Sequence, residues 1–421
     1  MEILAQYGPI LIAIAIVFGF FMTWGIGAND VANAMGTSVG SRAITVKQAI
    51  IIAAIFEFAG AFLAGSHVTK TIRKGIIDPS SIASQPEILV FGMLAALLAA
   101  AIWLLAASWK GWPVSTTHAI VGAIVGFGIA GIGVEAVQWA KIGTIVASWI
   151  VSPLVGGVLA YLLMISIRAL ILNRKRPFEM AKRWAPMYVF MVGFIVALVT
   201  VFKGLKHLNI ELSIAQSFVV AIAVGGLVSL ISWLLIRKIE IDANADREFH
   251  YASVEKVFTP MMLFTASAMA FAHGSNDVAN GIGPLAAVVS IIQSGGELAQ
   301  KAAIPVWILL LGGGGIVLGL TTMGYRVMQT IGSQITPLTP TTGFCATLAA
   351  AATIVIASRT GLPVSTTQIA VGGVIGVGMA RGIAAIDLRV VGGILVSWLI
   401  TLPVGGILAA VIFFMLKAIF I

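Results

Sequence analysis

The chain has 421 residues, of which 59% are hydrophobic and only 10% are charged. A soluble domain carries about 25% charged residues, so this composition excludes a soluble enzyme, a nucleic-acid-binding protein and a disordered scaffold. The net charge of +9 is instead typical of Lys and Arg in cytoplasmic loops that face anionic lipid. Apolar runs of about 20 residues, rather than alternating runs of about ten, predict membrane-spanning helices and exclude a β-barrel.

Apolar segments follow one another along the whole chain, and most are long enough to cross about 30 Å of hydrocarbon as helices. The 12 segments lie near residues 8–28, 46–68, 88–108, 114–134, 140–168, 186–202, 213–236, 258–273, 304–325, 343–357, 363–380 and 390–420. The longest polar stretch, 237–257, has mixed charge and lies just past the middle of the chain. We interpret it as a cytoplasmic linker between an N-terminal part (1–236) and a C-terminal part (258–421).

Three blocks of sequence occur twice, in the same order. They are GANDVANAMG (27–36, again as GSNDVANGIG at 274–283), GWPVSTTHAIVGAIVGFGIA (111–130, again as GLPVSTTQIAVGGVIGVGMA at 361–380) and SWIVSPLVGG (148–157, again as SWLITLPVGG at 397–406). The offsets are 247, 250 and 249 residues, so the chain contains two homologous halves. Within the second block, the GxxxG spacing at 122–126 and 372–376 predicts faces for close helix packing.

The two halves are predicted to cross the membrane in opposite directions. Seven helical segments separate the two copies of the first block, and an odd number of crossings inverts the second half. With both termini outside, most Lys and Arg fall in cytoplasmic loops, as the positive-inside tendency requires. Two alternatives remain open. If 114–134 and 363–380 do not cross, the halves are parallel, with an almost equal charge distribution. If each PVSTT turn is the tip of a re-entrant hairpin, the inversion is kept.

The fold predicted from these features is an all-α polytopic membrane protein. It contains two inverted-topology repeats, about 12 transmembrane segments, and broken helices or re-entrant hairpins at the midplane.

The first repeated block places one carboxylate and two carboxamides inside an apolar segment. Asn29 and Asn33 are four residues apart, and Asp30 and Asn33 three, so these side chains are neighbours on a helix. A buried acid in a membrane is costly and marks a functional site, and the preceding glycines allow the helix to break there. The second half repeats the pattern with Asn276, Asp277 and Asn280. Carboxylate and amide oxygens suit Na⁺, or a proton on the aspartate.

The PVSTT segments supply hydroxyl groups at the start of a helix. Proline ends the preceding helix, and Ser or Thr is a good N-cap for the next one. Hydroxyls together with the free N–H groups of a helix N-terminus form an anion site without Lys or Arg, suited to phosphate or sulfate. The alternative interpretation is a plain N-cap. The residues are Ser115, Thr116 and Thr117 in the first half and Ser365, Thr366 and Thr367 in the second.

Cation ligands and anion ligands thus occur in duplicate on opposed halves, as expected of a secondary transporter with its site at the repeat interface. Na⁺ lowers the net charge of an anion held beside the aspartates, so the binding of Na⁺ and the binding of the anion are coupled. A channel needs a charged ring or a carbonyl filter, and the sequence has no filter motif. An enzyme needs a nucleophile with its base. Ser115 and His118 are only three residues apart, and the second copy has Gln368 in place of the histidine, so we expect no enzymatic activity.

The two motifs, read as GANDVANAMGTSVGS at 27–41, GSNDVANGIGPLAAV at 274–288 and the two PVSTT blocks, resemble the PiT family of inorganic phosphate transporters. This resemblance to type-III sodium–phosphate symporters covers essentially the whole chain. It implies inverted repeats, outward-facing termini and symport of phosphate with Na⁺ or H⁺. It implies phosphate ligands at Asn29, Ser115, Thr116, Thr117, Asn276, Ser365, Thr366 and Thr367. It implies sodium ligands at Asp30, Asn33, Asp277 and Asn280, with Glu57 as a further candidate.

The resemblance also covers positions outside the two motifs. Glu57 and His273 stand where the family has an acid and a histidine, and we take His273, His118 and Gln368 as secondary candidates. Gln368 departs from the family, which often has STTH in both halves. Thr347 departs from it as well, because many members have an acid there. Fewer acids in the membrane are expected to alter the ion stoichiometry or to weaken the role of Glu57.

We therefore predict a symporter of inorganic phosphate and Na⁺ in the plasma membrane, the inner membrane of a Gram-negative-type cell, with both termini outside and without a cofactor. Proton-coupled transport of phosphate, or sulfate as the substrate, is the alternative. The acceptor oxygens of Asp30 and Asp277 favour phosphate because it carries a proton to donate, whereas sulfate does not. The oligomeric state is not readable from the sequence, and a homodimer is an expectation only.

Overall fold

The computed structural model describes residues 2–64, 68–69, 71–72, 75–78, 85–203, 212–241, 246, 251–296, 304–329 and 334–421. Helices make up nearly all of these residues, and an isolated bridge between Ile77 and Val137 is the one β contact among them. The prediction of an all-α protein is confirmed.

We number the α-helices of the described residues in chain order. They are α1 (Glu2–Ile26), α2 (Ala32–Gly40), α3 (Val46–Ala64), α4 (Pro86–Trp109), α5 (Thr116–Gly131), α6 (Trp139–Ile167), α7 (Pro177–Lys203), α8 (Ile214–Ile236), α9 (Ala252–Gln293), α10 (Val306–Gln329), α11 (Pro340–Thr360), α12 (Thr366–Arg381) and α13 (Leu388–Phe420). A π-helical turn, Gly27–Val31, joins α1 to α2.

Ten helical segments of the described residues are long and apolar enough to cross a membrane, counting α1 and α2 as one. The helices α5 and α12 have 16 residues each. At 1.5 Å per residue they are about 24 Å long, shorter than the ~30 Å hydrocarbon core. All twelve predicted apolar segments are thus helices, ten of them long and two short.

Each PVSTT segment forms the turn of a helical hairpin, in which α4 packs against α5 and α11 against α12. The chain reverses at Gly111 and Gly361, whose φ angles of 68° and 73° lie in the left-handed region that favours glycine. Ser115 and Ser365 then cap the next helix, each accepting at 3.2 Å from the backbone N–H three residues on. Because both turns are buried, the structure contains the hairpin tips that were one of the open alternatives.

The two halves exchange equivalent contacts. Trp149 Nε1 donates to Pro363 O at 3.0 Å, and its repeat equivalent Trp398 Nε1 donates to Pro113 O at 3.3 Å. A contact that is returned between equivalent residues is the mark of a two-fold relation. The inverted insertion of the two halves in the bilayer stays a prediction.

Glycines allow the two halves to make equivalent contacts between helix backbones as well. Gly126 on α5 lies against the backbone of Gly406 on α13, and Gly376 on α12 lies against that of Gly157 on α6. A Cβ on Gly126 or Gly376 would collide with the facing carbonyl oxygen. The prediction that the GxxxG patterns are packing faces is confirmed.

Both ends of the described chain lie together, at the opposite end of the bundle from the linker. The rings of Tyr7 and Phe420 contact edge to face, with centroids 5.4 Å apart. The long helix α9 begins at the linker, and its far end packs through Ile292 beside Gly8. Because α9 has 42 residues, about 63 Å of helix separates the linker from the termini.

The predicted linker, 237–257, is shorter in the structure, since α9 already begins at Ala252. Its residues 242–245 and 247–250 lie outside the described residues.

The NDVAN segments do not break their helices, as the neighbouring glycines had led us to expect. Residues 276–280 lie within the continuous α9, and 29–33 run from the π-helical turn into α2. The glycines instead permit close packing. A Cβ on Gly27 would collide with the backbone of Ile316, and one on Gly274 with the backbone of Glu57.

Replacing Gly126 or Gly376 with leucine should lower the melting temperature of the protein purified in detergent. Forcing a side chain into a filled space typically costs about 1–3 kcal/mol. Gly392→Leu on α13 is the matched control, because open space lies where its Cβ is added. Equal melting temperatures for the three variants would contradict the close approach of these helix pairs.

Candidate functional site

The two NDVAN segments and the two PVSTT turns meet at one buried centre. Asp30 and Asp277 are 2% and 0% exposed. A carboxylate oxygen of each lies, together with a ring nitrogen of His273, in a group whose atoms are all within 4.8 Å of one another. The aspartates of the two repeats therefore meet, as expected of a site at the repeat interface.

Three threonine hydroxyls donate to the carboxylate of Asp30. Thr116 donates to Oδ2 and Thr367 to Oδ1 through short hydrogen bonds, and Thr366 donates to Oδ1 at 3.2 Å. These hydroxyls come from the first turns of α5 and α12, where the helix dipoles have their positive ends. Asp30 is held in the way that a bound anion is held at a helix N-terminus.

Asp277 has fewer hydroxyl partners. Thr117 Oγ1 lies 3.0 Å from Asp277 Oδ1 and 3.0 Å from Val364 O, so its single proton serves one of them at a time. Asn280 Nδ2 donates to the same Asp277 oxygen at 3.1 Å. Asp277 Oδ2 and Asn280 Oδ1 accept no hydrogen bond from the described residues. Two such oxygens three residues apart on α9 suit a hard cation.

The imidazole of His273 lies between three acids. Its Nδ1 is 2.8 Å from Glu57 Oε2, and its Nε2 is 3.7 Å from Asp30 Oδ2 and 3.4 Å from Asp277 Oδ2. Sequence reasoning included His273 only as a secondary candidate. Its spacing of four residues from Asp277 was a usable signal for a shared helix face. The contact with Glu57 joins α3 to α9 across 216 residues, which no local pattern predicts.

Asn29 holds the first PVSTT turn. Its Nδ2 donates to Ser108 Oγ at 3.2 Å and to Trp112 O at 2.9 Å. Its Oδ1 accepts from Val114 N at 3.1 Å. Both protons of the carboxamide are used, so phosphate binding by Asn29 requires these hydrogen bonds to break and stays a prediction.

Asn276 holds the second turn in the equivalent way, but incompletely. Its Nδ2 donates to Ser358 Oγ at 3.1 Å and to Leu362 O at 3.2 Å. Its Oδ1 accepts no hydrogen bond from the described residues, whereas the Oδ1 of Asn29 does. Asn276 therefore makes fewer hydrogen bonds to the second turn than Asn29 makes to the first.

The remaining predicted donors keep a proton available. Ser115 and Ser365 use their oxygens as N-caps, and no hydrogen bond found among the described residues uses their protons. Capping and anion binding are thus compatible at both serines.

His118 and Gln368 are buried next to these serines and line an apolar groove of about 940 Å³ between α6 and α13. They make no hydrogen bond to either aspartate. They lie beside the centre rather than in it.

The side chain of Asn33 lies outside the described residues, so its role as a sodium ligand stays a prediction. Thr347, which stands where a family acid was expected, shares a 2.7 Å hydrogen bond with Thr37 and is not among the groups around the aspartates.

The centre can hold a cation and an oxyanion in contact. Carboxylate oxygens and free amide oxygens supply cation ligands, and hydroxyl groups at two helix N-termini supply anion donors. Asp30, Asp277 and His273 are close enough together to coordinate one ion.

Comparison with known proteins agrees with this geometry. The sequence matches the phosphate transporter family over residues 26–409. It is 51% identical, over 100% of both chains, to a protein of Haemophilus influenzae to which phosphate permease function is ascribed. It is 42% identical to inorganic phosphate transporter 2-1, chloroplastic, of Arabidopsis thaliana, over 94% of this chain and 70% of the other.

A solved structure described as the sodium-dependent phosphate transporter has the same fold. Its TM-score is 0.89 at 40% sequence identity, and the match covers 97% of this chain and 99% of that one. Because the family match spans most of the chain, and relatives align along its full length, this chain is a multi-pass membrane transporter of the phosphate transporter family.

Proposed function

We propose that the protein carries inorganic phosphate across the plasma membrane in symport with Na⁺, by alternating access. One observation carries this proposal. Threonine hydroxyls from two helix N-termini contact two buried carboxylates where the halves of the protein meet. Family membership supports phosphate as the substrate. The structural relative that is described as sodium-dependent supports Na⁺ as the coupled ion.

The carboxylates of Asp30 and Asp277 are the sodium ligands in this proposal, together with Asn280 and Asn33 and with Glu57 as a further candidate. Two buried carboxylates within 4.8 Å of each other repel in a low dielectric. A cation between them removes that repulsion, and a hard monovalent ion matches their oxygens. Na⁺ is cargo here and not a resident cofactor.

The phosphate ligands are the hydroxyls of the two turns. The free protons of Ser115 and Ser365, and the threonine protons once released, donate to the oxyanion. The oxygens of Asp277 and Asn280 that accept no hydrogen bond favour phosphate over sulfate, because HPO₄²⁻ has a proton to donate to them and sulfate has none.

The reciprocal contacts support two repeats of opposite orientation that alternate around this centre. Two hydrogen bonds place the basic segment around residues 168–183 at the linker end of the bundle. Lys182 donates to Ile239 O at 2.9 Å, and Tyr251 donates to Leu172 O at 3.1 Å. The positive-inside tendency assigns that end to the cytoplasm and both termini to the outside. A homodimer remains an expectation.

Proton coupling is the second candidate. The observation that favours it is the fully buried contact between His273 and Glu57, a pair that can share a proton. In that case H⁺ replaces Na⁺ as the ion that compensates the carboxylates.

Uptake of radiolabelled phosphate into proteoliposomes that contain the purified protein should follow the Na⁺ gradient. A tenfold gradient is worth about 1.4 kcal/mol per ion, so each coupled Na⁺ should drive about tenfold accumulation. Excess sulfate should not compete. Uptake that follows a pH gradient in Na⁺-free buffer would favour the proton alternative, and competition by sulfate would contradict the substrate assignment.

Ser115→Ala and Ser365→Ala should each weaken phosphate binding about tenfold or more, because a hydrogen bond to a charged group is worth roughly 1.5–3 kcal/mol. Ser148→Ala and Ser397→Ala are matched controls, since this equivalent pair donates to its own helix at Ile145 O and Ile394 O. Titration calorimetry with inorganic phosphate in Na⁺ buffer measures the effect. Affinities of all four variants within twofold of one another would show that the serines act only as caps.

A further inference from the structure

The anion that the two helix N-termini hold in this structure belongs to the protein itself. Asp30 accepts the hydroxyl protons of Thr116, Thr366 and Thr367, which lie on two separate helices. Charge-assisted hydrogen bonds and two positive dipole ends are the means by which proteins bind a phosphate group. The carboxylate therefore occupies the donors that the proposed function assigns to the substrate.

Asp30 and its repeat equivalent Asp277 have different surroundings. Two-fold equivalence pairs the bond from Thr116 to Asp30 with a bond from Thr366 to Asp277. Thr366 does interact with Asp277, but its hydroxyl also donates to Asp30 at 3.2 Å. Asp30 consequently has three threonine partners, whereas Asp277 has Thr117 and shares Thr366 with Asp30. Asp277 also keeps one oxygen without a hydrogen bond from the described residues. The anion donors are concentrated on one of the two aspartates.

We propose that Asp30 is an internal competitor of the substrate: it occupies the threonine hydroxyls until phosphate displaces it, and the displaced carboxylate then binds Na⁺. This proposal rests on the proposed function and adds the step that makes the two ions depend on each other.

The dependence follows from the number of protons and charges. A hydroxyl has one proton, so a threonine cannot donate to Asp30 and to phosphate at once. Two anions at the same buried donors would repel strongly. If Asp30 leaves the hydroxyls and finds no other partner, it is a buried charge without hydrogen bonds, which is costly. Na⁺ removes this cost. Phosphate then binds well only with Na⁺, and by linkage Na⁺ binds well only with phosphate.

The displaced carboxylate has a cation position within reach. An oxygen of Asp30 and one of Asp277 are within 4.8 Å of each other. Two oxygens that bind one ion at about 2.4 Å can be up to about 5 Å apart. The two carboxylates are therefore close enough to share one ion once the hydroxyls are released.

Asp30→Ala removes the competitor and tests the proposal. In Na⁺-free choline buffer, we expect the full-length variant to bind inorganic phosphate at least about tenfold more tightly than the wild type, because no charge-assisted hydrogen bond has to be broken first. Its affinity should no longer rise when NaCl replaces choline chloride. Titration calorimetry on the purified protein in detergent measures both affinities.

Asp277→Ala is the matched control, because it removes the equivalent carboxylate from the other half. It should lose the enhancement by Na⁺ without gaining Na⁺-free affinity. Asp30→Asn keeps the shape of the side chain and answers the question if the alanine variant fails to fold. It should gain Na⁺-free affinity by a smaller factor, since a neutral oxygen accepts more weakly than a carboxylate.

If Asp30 were only a sodium ligand, both alanine variants would lose the effect of Na⁺ and neither would gain Na⁺-free affinity, which would overturn the proposal. An equal gain in the two variants would overturn it as well. A wild-type protein that binds no phosphate with or without Na⁺ would contradict the proposed function itself. If the wild type binds phosphate in Na⁺ but the Asp30 variants gain no Na⁺-free affinity, only the proposal of an internal competitor is overturned.

Discussion

A carboxylate enclosed by membrane helices must be compensated, and in this protein threonine hydroxyls provide the compensation for Asp30. Those hydroxyls stand on the first turns of α5 and α12, two short helices that begin inside the protein. Several features serve to bring these helix ends to the aspartates. They include the hairpin turns, the reciprocal tryptophan contacts and the asparagine side chains that hold each turn. The site exists because α5 and α12 begin at the place where the two NDVAN segments carry their aspartates.

The two-fold exchange of contacts builds the centre, while small departures from it give the two aspartates different properties. Three threonines contact Asp30, whereas Asp277 has Thr117 and shares Thr366 with Asp30. Asn29 binds the first turn through Trp112 O and Val114 N, and Asn276 lacks the equivalent of the second bond. Glu57 and His273 also belong to the centre, and the contact between them has no equivalent in the other repeat among the described residues. In our proposal, a duplicated scaffold thus supplies one anion position and one cation position rather than two identical sites.

Much of this arrangement could be predicted from the sequence. The repeat fixed the equivalence of the halves, and apolar runs of sufficient length located the helices. Buried acids in both copies implied a shared centre. The glycines beside the NDVAN segments allow a helix break, but Gly27 and Gly274 instead contact neighbouring backbones. A glycine that packs and a glycine that bends look alike in a sequence.

Other features depend on contacts between distant residues. Nothing local shows that Asn29 bonds to the backbone of Trp112, or that Glu57 meets His273 from another helix. The unequal sharing of four equivalent threonines between two equivalent aspartates breaks the symmetry of the repeat, so no argument from the repeat could give it. These are also the contacts on which the chemistry of the site depends.

The central claim is that phosphate and Na⁺ share the centre by displacing the carboxylate of Asp30 from the threonines. A cryo-electron microscopy structure of the protein in phosphate and Na⁺ tests it most directly. The account predicts phosphate oxygens at the hydroxyls of Thr116, Thr366 and Thr367, with Asp30 turned to an ion shared with Asp277. Phosphate bound elsewhere, with the hydrogen bonds of Asp30 intact, would contradict it.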